Sequence, residues 1–160
     1  MGNSNFANVG CEIAAVYNAF RYNGRQIAIA SIIQSFEYNG YLMAGGYFGS
    51  DPYAIGEYLD QNNVSYTEFP DNSSYTSFKN EVTSHLSSRR TYIVSFWNGP
   101  SLFDQVHTVA FYSQNGSLHV YNLNTYGTTT TPETSLADFV SSNRFIIGYA
   151  LGERSRVFEG

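Results

Sequence analysis

The sequence predicts an α+β fold in which helices come first along the chain and an antiparallel sheet follows. As far as Arg90, apolar residues recur at three- and four-residue spacing, which is typical of amphipathic helices. After Arg90 the period changes to two, which is typical of strands with one buried face. Between two of these alternating stretches, Asn115-Gly116 predicts a tight hairpin turn, so the strands that it joins are antiparallel. Helices in one half and antiparallel strands in the other define this fold class.

Start and stop signals place four helices in the first half of the chain. The first begins at Cys11 and is stopped by Gly24, and the second ends at Asn39-Gly40. Ser50-Asp51-Pro52 combines an N-cap with a proline in the first turn, so a third helix is expected to begin there. The second, third and fourth helices are expected at residues 26–36, 52–59 and 75–86, with a short strand at 64–69.

The second half of the chain is predicted to supply the sheet. Strands are expected at residues 91–97, 106–112, 117–123 and 144–151, with a short helix at 135–140. The sequence contains no internal repeat, and its length suits one hydrophobic core. We therefore expect a single domain that covers residues 1–160.

Composition limits the partners of this domain. A chain with 17% aromatic and 13% charged residues can pack a core and is not typical of a disordered segment. The net charge of −5, with no run of basic residues, argues against nucleic acid as a partner. No apolar run approaches the roughly 20 residues of a membrane span, and no signal-peptide pattern begins the chain. The Asn-, Ser- and Tyr-rich composition is typical of a bacterial surface or secreted protein and is compatible with a domain of a longer polypeptide.

Cys11 is the candidate nucleophile. It is the one cysteine, so it cannot form an internal disulfide. Its place in the first turn of a helix should lower the thiol pKa, because the positive end of the helix dipole favours the thiolate. The neighbouring Glu12 would raise the thiol pKa if it pointed inward, but at this position of the helix it is expected to face solvent and to interact with the dipole. The alternative interpretation of Cys11 is a small apolar residue of the core.

The hairpin supplies candidate partners for this thiol. Strand alternation puts His107 on the same face as Asn122 and Asn124 of the return strand. A strict two-residue turn would place Asn124 directly across from His107 and Asn122 on the diagonal, whereas a longer turn would reverse that order. In a cysteine hydrolase an imidazole takes the thiol proton and later protonates the leaving group, while a side-chain amide holds the ring. The residues alone leave both asparagines as candidates.

Three segments carry a resemblance to a known family: Asn8-Val-Gly-Cys-Glu-Ile-Ala-Ala-Val-Tyr-Asn18, His107-Thr-Val-Ala-Phe111 and Val120-Tyr-Asn122. They resemble the papain-fold cysteine peptidases, in particular the C39-like bacterial group, in which a helix carrying the cysteine precedes a sheet carrying histidine and asparagine or aspartate. The resemblance implies a peptidase of peptide or protein substrates that needs no cofactor.

The resemblance also implies roles for individual residues. Cys11 is then the nucleophile, His107 the base and Asn122 the orienting residue, since family spacing favours Asn122 over Asn124. The family usually has a glutamine six residues before the cysteine as an oxyanion donor, and here that position is Asn5. A further departure is Asn122-Leu123, which stands where Asp-Pro is common.

Two other classes of function remain open from the sequence. The same fold and thiol could perform acyl transfer or side-chain deamidation, because a fold does not specify the acceptor. A non-catalytic interaction module, in which Cys11 belongs to the core, is the other alternative. A metal site is not expected, because His85, His107 and His119 lack the close spacing of metal ligands.

Overall fold

The structure is a computed structural model that describes residues 10–42, 50–99, 106–120, 131–133 and 135–152. Its helices are α1 (Cys11–Tyr22), α2 (Ile29–Tyr38), α3 (Ala54–Gln61) and α4 (Tyr75–Ser84). Its strands are β1 (Tyr66–Pro70), β2 (Arg90–Trp97), β3 (Val106–Gln114), β4 (Ser117–Val120), β5 (Thr131–Glu133) and β6 (Phe145–Leu151). All six strands belong to one antiparallel sheet in the order β1-β6-β2-β3-β4-β5. Helices followed by an antiparallel sheet confirm the predicted α+β class.

The predicted helix stops are found where glycine permits a left-handed backbone. Gly24 follows α1 with φ +70°, and Gly40 follows α2 with φ +72°. At the third helix, the carboxylate of Asp51 accepts a hydrogen bond from the backbone N–H of Tyr53 at 2.9 Å. This contact and Pro52 form a turn before the helix, so α3 begins at Ala54, two residues later than predicted.

The sheet separates two hydrophobic cores. On its front face, which packs against α1, α2 and α3, lie Ile93, Ala110 and Tyr149. On its rear face, which packs against α4, lie Val94 and Phe111 with their strand neighbours. This alternation along β2, β3 and β6 explains why these strands are apolar on both faces. The rear core is rich in aromatic residues, and its central residue, Phe78 of α4, contacts Phe69, Tyr92, Phe111 and Phe145.

The β3–β4 hairpin has the predicted two-residue turn. Gln114 pairs with Ser117, so only Asn115 and Gly116 lie between the paired residues. Their φ angles of +53° and +82° are those of a left-handed turn, which asparagine and glycine adopt more readily than other residues. The turn therefore fixes the register of β4 against β3.

Three elements of the second half differ from the prediction. The described strand β4 ends at Val120, while the rest of the predicted strand lies outside the described residues. The helix predicted at residues 135–140 is only a short 3₁₀ turn, Leu136–Asp138, closed by a capping box between Ser135 and Asp138. The strand β5 was not predicted, because a threonine-rich segment containing Pro132 is typical of a loop and a proline is accepted in a sheet only at an edge.

Gly148 is required for close contact between β6 and α4. A Cβ atom at this position would lie 2.8 Å from the ring of Phe78, which is fully buried. We expect Gly148→Ala to destabilise the protein by about 1–3 kcal/mol, because the added methyl group overpacks the rear core. Chemical denaturation would measure this loss. The double variant Gly148→Ala, Phe78→Leu should be destabilised by less than the sum of its single variants, and strict additivity would contradict the steric explanation.

Candidate functional site

The thiol of Cys11 lies where the first helix meets the third strand. Cys11 is the first residue of α1, and Gly10 before it provides no side-chain cap. Its Sγ is 3.7 Å from the carbonyl oxygen of Val106, the first residue of β3, although the two residues are 95 positions apart in sequence. The fold therefore brings the single cysteine to the start of the strand that carries His107.

The closest polar partner of the thiol is Glu12. Cys11 Sγ donates a hydrogen bond to Glu12 Oε2 at 3.2 Å. Glu12 is only 1% exposed, so the expectation that it faces solvent is wrong. The physical reason is its place on the helix, because Ala15, Val16 and Ala19, at spacings of three, four and seven residues, are also buried against the sheet.

Burial reverses the expected effect on the thiol. Desolvation raises the pKa of Cys11 far above its usual range, and the Glu12 carboxylate raises it further. The expected lowering by the helix dipole is therefore wrong for this conformation, because a dipole effect near one helix end is smaller than the cost of a buried thiolate beside a carboxylate. The pKa of Glu12 is itself raised, by desolvation, from 4.5 to about 7. At neutral pH the pair holds at least one proton.

Hydroxyl and amide groups surround the carboxylate of Glu12. The hydroxyl of Thr108 and the backbone N–H of Ser50 both donate hydrogen bonds to it. Thr108 in turn lies 2.8 Å from the hydroxyl of Ser95 on the paired strand. Ser50 is fully buried, and its hydroxyl has no hydrogen-bond partner among the residues that the structure describes. Cys11 is half-buried, and together with the buried Glu12, Ser50, Ser95 and Thr108 it forms what we call the buried polar cluster.

His107 lies next to this cluster in the chain but on the other face of the sheet. It pairs with Phe96, and its ring contacts the Phe96 ring edge-on with 5.6 Å between centroids. Phe96 and Val109 belong to the rear core, whereas Thr108 belongs to the front face with the cluster. The fold brings the backbone around His107 close to Cys11. The side chain of His107, however, lies on the rear face of the sheet, whereas Cys11 belongs to α1 on the front face. The role of His107 as base stays a prediction.

The remaining predicted site residues, Asn5 and Asn122, lie outside the described residues, as does Asn124. The hairpin has a two-residue turn. For such a turn, strand pairing predicts Asn124 across from His107, whereas family spacing predicts Asn122 as the orienting residue. The choice of orienting residue and the role of Asn5 as oxyanion donor stay predictions.

The other two histidines have structural contacts. The ring of His119 stacks on Tyr112 with 4.7 Å between centroids, and His85 lies 3.2 Å from a carboxylate oxygen of Glu81. In the described part of the chain, no group of three or more His, Cys, Asp and Glu side chains is placed to hold a metal ion.

A groove of about 330 Å³ lies at the same end of the sheet as Cys11. It lies at the end of the sheet where β2 finishes and β3 and β6 begin, and Val106, whose carbonyl contacts Cys11, lines it. Trp97 pairs with Val106 and is 36% exposed, so one side of its indole is open to a ligand. The carboxylates of Asp51 and Asp71 also line this groove. A partly apolar groove with an acidic rim therefore lies close to Cys11, and Val106 contacts both.

Comparison with known proteins assigns no family to this chain. No protein-family model matches the sequence, and no curated protein sequence matches it either. Among the described helices, none combines the length and apolar composition needed to cross a membrane. The functional interpretation consequently depends on the residues of the site.

Sequence reasoning placed Glu12 in solvent and did not single out Thr108. The signal for Glu12 was present, since it shares a helix face with Ala15, Val16 and Ala19, but a charged residue in a first turn was interpreted as a solvated one. Thr108 gave no comparable signal, because a threonine within an apolar strand is common.

Proposed function

We propose that this protein is a thiol-dependent hydrolase with Cys11 as its nucleophile. The observation that carries the proposal is the contact of 3.7 Å between Cys11 Sγ and the Val106 carbonyl. It brings the first residue of a helix, the single thiol and the beginning of a histidine-bearing strand to one end of the sheet. A thiol at the start of a histidine-bearing strand, with a groove at the same end of the sheet, supports acyl transfer to sulfur.

More specifically, we propose that the protein is a papain-like cysteine peptidase of the C39-like kind that acts on a peptide or protein. The order helix, cysteine, sheet and histidine supports this form, as does the groove beside Val106. His107 would be the general acid and base of the reaction, and Asn122 would orient its ring. Asn5 and the backbone N–H of Cys11 would stabilise the oxyanion.

The proposed reaction begins when sulfur attacks the carbonyl carbon of the substrate. The C–N bond then breaks, the amine leaves with a proton, and a thioester remains on Cys11. Water attacks this thioester and releases the acid, which restores the thiol. Acyl transfer to an amine would differ only in the second acceptor.

An acyl-enzyme trapping experiment tests this proposal. The protein would be incubated with a mixture of unfolded polypeptides, and new termini and a covalent acyl adduct on Cys11 would be sought by mass spectrometry. Thiol-dependent cleavage, lost after alkylation of Cys11, supports hydrolysis. New isopeptide bonds would indicate transfer, and conversion of glutamine to glutamate without cleavage would indicate deamidation.

One observation favours a second candidate, a non-catalytic interaction module. The raised pKa of the Cys11 thiol is the property of an unreactive buried cysteine. In that case the groove lined by Trp97 would bind a partner without reaction. Intact polypeptides retained by the protein, with no cleavage and no acyl adduct, would favour this candidate.

His107→Ala should slow turnover by about a hundredfold, because the variant lacks the group proposed to protonate the leaving amine. The measurement is kcat/KM on a substrate identified by the trapping experiment. His119→Ala is the matched control, since His119 stacks on Tyr112 at the other end of β3. Equal rates in the wild type and His107→Ala would remove His107 from the reaction.

Trp97→Ala should raise KM by about tenfold with little change in kcat, because the exposed indole would contribute binding energy that is equal in the ground and transition states. Tyr38→Ala is the control, since Tyr38 is an exposed aromatic residue at the end of α2, away from the lining of the groove. A change in kcat with no change in KM would indicate that the substrate does not bind against Trp97.

A further inference from the structure

The buried polar cluster contains a carboxylate in contact with the proposed nucleophile. A buried carboxylic acid is costly to ionise and is seldom kept without hydrogen-bond partners. The described partners of the Glu12 carboxylate include the Cys11 thiol, the Thr108 hydroxyl and the Ser50 backbone N–H. These contacts hold its carboxylate against the sulfur and prevent it from turning to solvent.

We propose that Glu12 is the immediate acceptor of the Cys11 proton, so that the first proton transfer of the reaction runs between two neighbouring residues of α1. This inference rests on the proposed hydrolase function. It gives Glu12 a catalytic role because its carboxylate touches the reacting sulfur. His107 is then left with the later transfer to the leaving group.

Geometry is the first support for this assignment. The distance of 3.2 Å between Cys11 Sγ and Glu12 Oε2 is a hydrogen-bond distance for sulfur, so the transfer requires no intervening water. The histidine side chain leaves β3 toward the rear face, whereas the carboxylate already lies on the thiol.

The proton-binding strength of Glu12 is the second support. A general base works best when its pKa is close to the working pH, and burial raises the pKa of Glu12 to about 7. Among the described residues packed around Glu12, Cys11 is the one titratable partner, since Ser50 and Thr108 do not ionise in this range.

The step balances without any external reagent except substrate and water. The S–H bond of Cys11 breaks and its proton binds to Glu12 Oε2, while sulfur forms a bond to the carbonyl carbon of the substrate. The π electrons of that carbonyl move to its oxygen. When the tetrahedral intermediate collapses, the C–N bond breaks and the amine leaves with a proton donated by His107. Water then attacks the thioester and passes a proton to His107, and the released sulfur regains the proton held by Glu12.

The test uses iodoacetamide alkylation of Cys11 between pH 5 and 10, which requires no substrate. Alkylation consumes thiolate, so its rate follows the thiolate fraction. For a pair that shares one proton, the rate should rise up to about pH 7, remain nearly level, and rise again only when the second proton leaves. An isolated thiol gives a single rise that levels only above its own pKa, with no second rise.

Glu12→Gln keeps the shape of the side chain and removes the acid. We expect its profile to lose the plateau and its alkylation at pH 9 to be about tenfold faster, because no carboxylate opposes the thiolate. Turnover should nevertheless fall by about a hundredfold, since the acceptor is absent. Glu57→Gln, a change at an exposed carboxylate of α3, is the matched control and should leave both measurements unchanged.

The outcomes separate this inference from the proposed function. A wild-type profile without a plateau overturns the Cys11–Glu12 pair, and this result does not depend on whether the variant folds. Glu12→Gln turnover within about threefold of the wild type also overturns the acceptor role. A third outcome is a plateau in the wild type that is lost in Glu12→Gln, combined with no cleavage by the wild type. This result would support the Cys11–Glu12 pair and contradict the hydrolase proposal.

Discussion

Replacing Cys11 by alanine should reduce hydrolysis by a factor on the order of a thousand or more, because no other group of the described chain can form the thioester. Cys11 is the only cysteine, and Val106, whose carbonyl contacts its sulfur, lines the groove. The measurement is the initial rate of substrate cleavage at equal protein concentration. The structural effect of this change should be small, because alanine retains the Cβ and the position begins a helix.

Cys11→Ser is the informative companion to this variant. Serine keeps a hydroxyl that can donate to Glu12, so the folded structure should be preserved while reactivity is lost, since a hydroxyl in this environment is a much weaker nucleophile. If Cys11→Ser and Cys11→Ala both retain wild-type cleavage, the activity belongs to another group or to a contaminant. Both variants should still bind substrate, so a binding measurement distinguishes loss of the reaction from loss of substrate binding in the groove.

The second large effect concerns Glu12 and pH. Its pKa is about 7 in the folded protein and 4.5 in the unfolded reference, so the folded state binds the proton more tightly. The stabilisation from protonated Glu12 is therefore fully present below pH 4.5 and is lost as the pH rises to about 7. We expect the wild type to lose about 3 kcal/mol relative to Glu12→Gln over this interval.

Denaturant unfolding at pH 4.5 and pH 8 would measure this difference. Comparing variants cancels the contributions of the histidines, which also titrate between these values. Glu57→Gln should follow the wild type at both pH values, since Glu57 is exposed. A constant difference between the wild type and Glu12→Gln would show that Glu12 titrates normally and is not desolvated in solution.

Much of the fold could be predicted because its signals are local. Gly24 and Gly40 ended the first two helices as expected, since their left-handed backbone angles are favourable for glycine. The Asn115-Gly116 turn also depends only on the conformations of two residues. The pairing of β1 with β6 gave no such signal, because strands far apart in the chain carry no mark of their partner.

The site was less predictable for a related reason. The position of Cys11 at a helix start could be predicted from spacing, but the environment of its thiol depends on what packs against that helix. Val106 and Thr108, which approach it from β3, are distant in sequence. A helix dipole can be predicted from one segment alone, whereas desolvation requires the whole fold.

The position of β6 has a consequence for synthesis of the chain. This strand is the last of the described elements along the sequence, yet it lies between β1 and β2 in the sheet. A ribosome-bound chain that lacks β6 therefore exposes the edges of both neighbouring strands, which are ready to pair with other chains. Such an exposed edge favours aggregation or chaperone binding until β6 has been synthesised. Cooperative folding should consequently be completed only after Leu151 has left the ribosome, so truncation before β6 should yield insoluble protein.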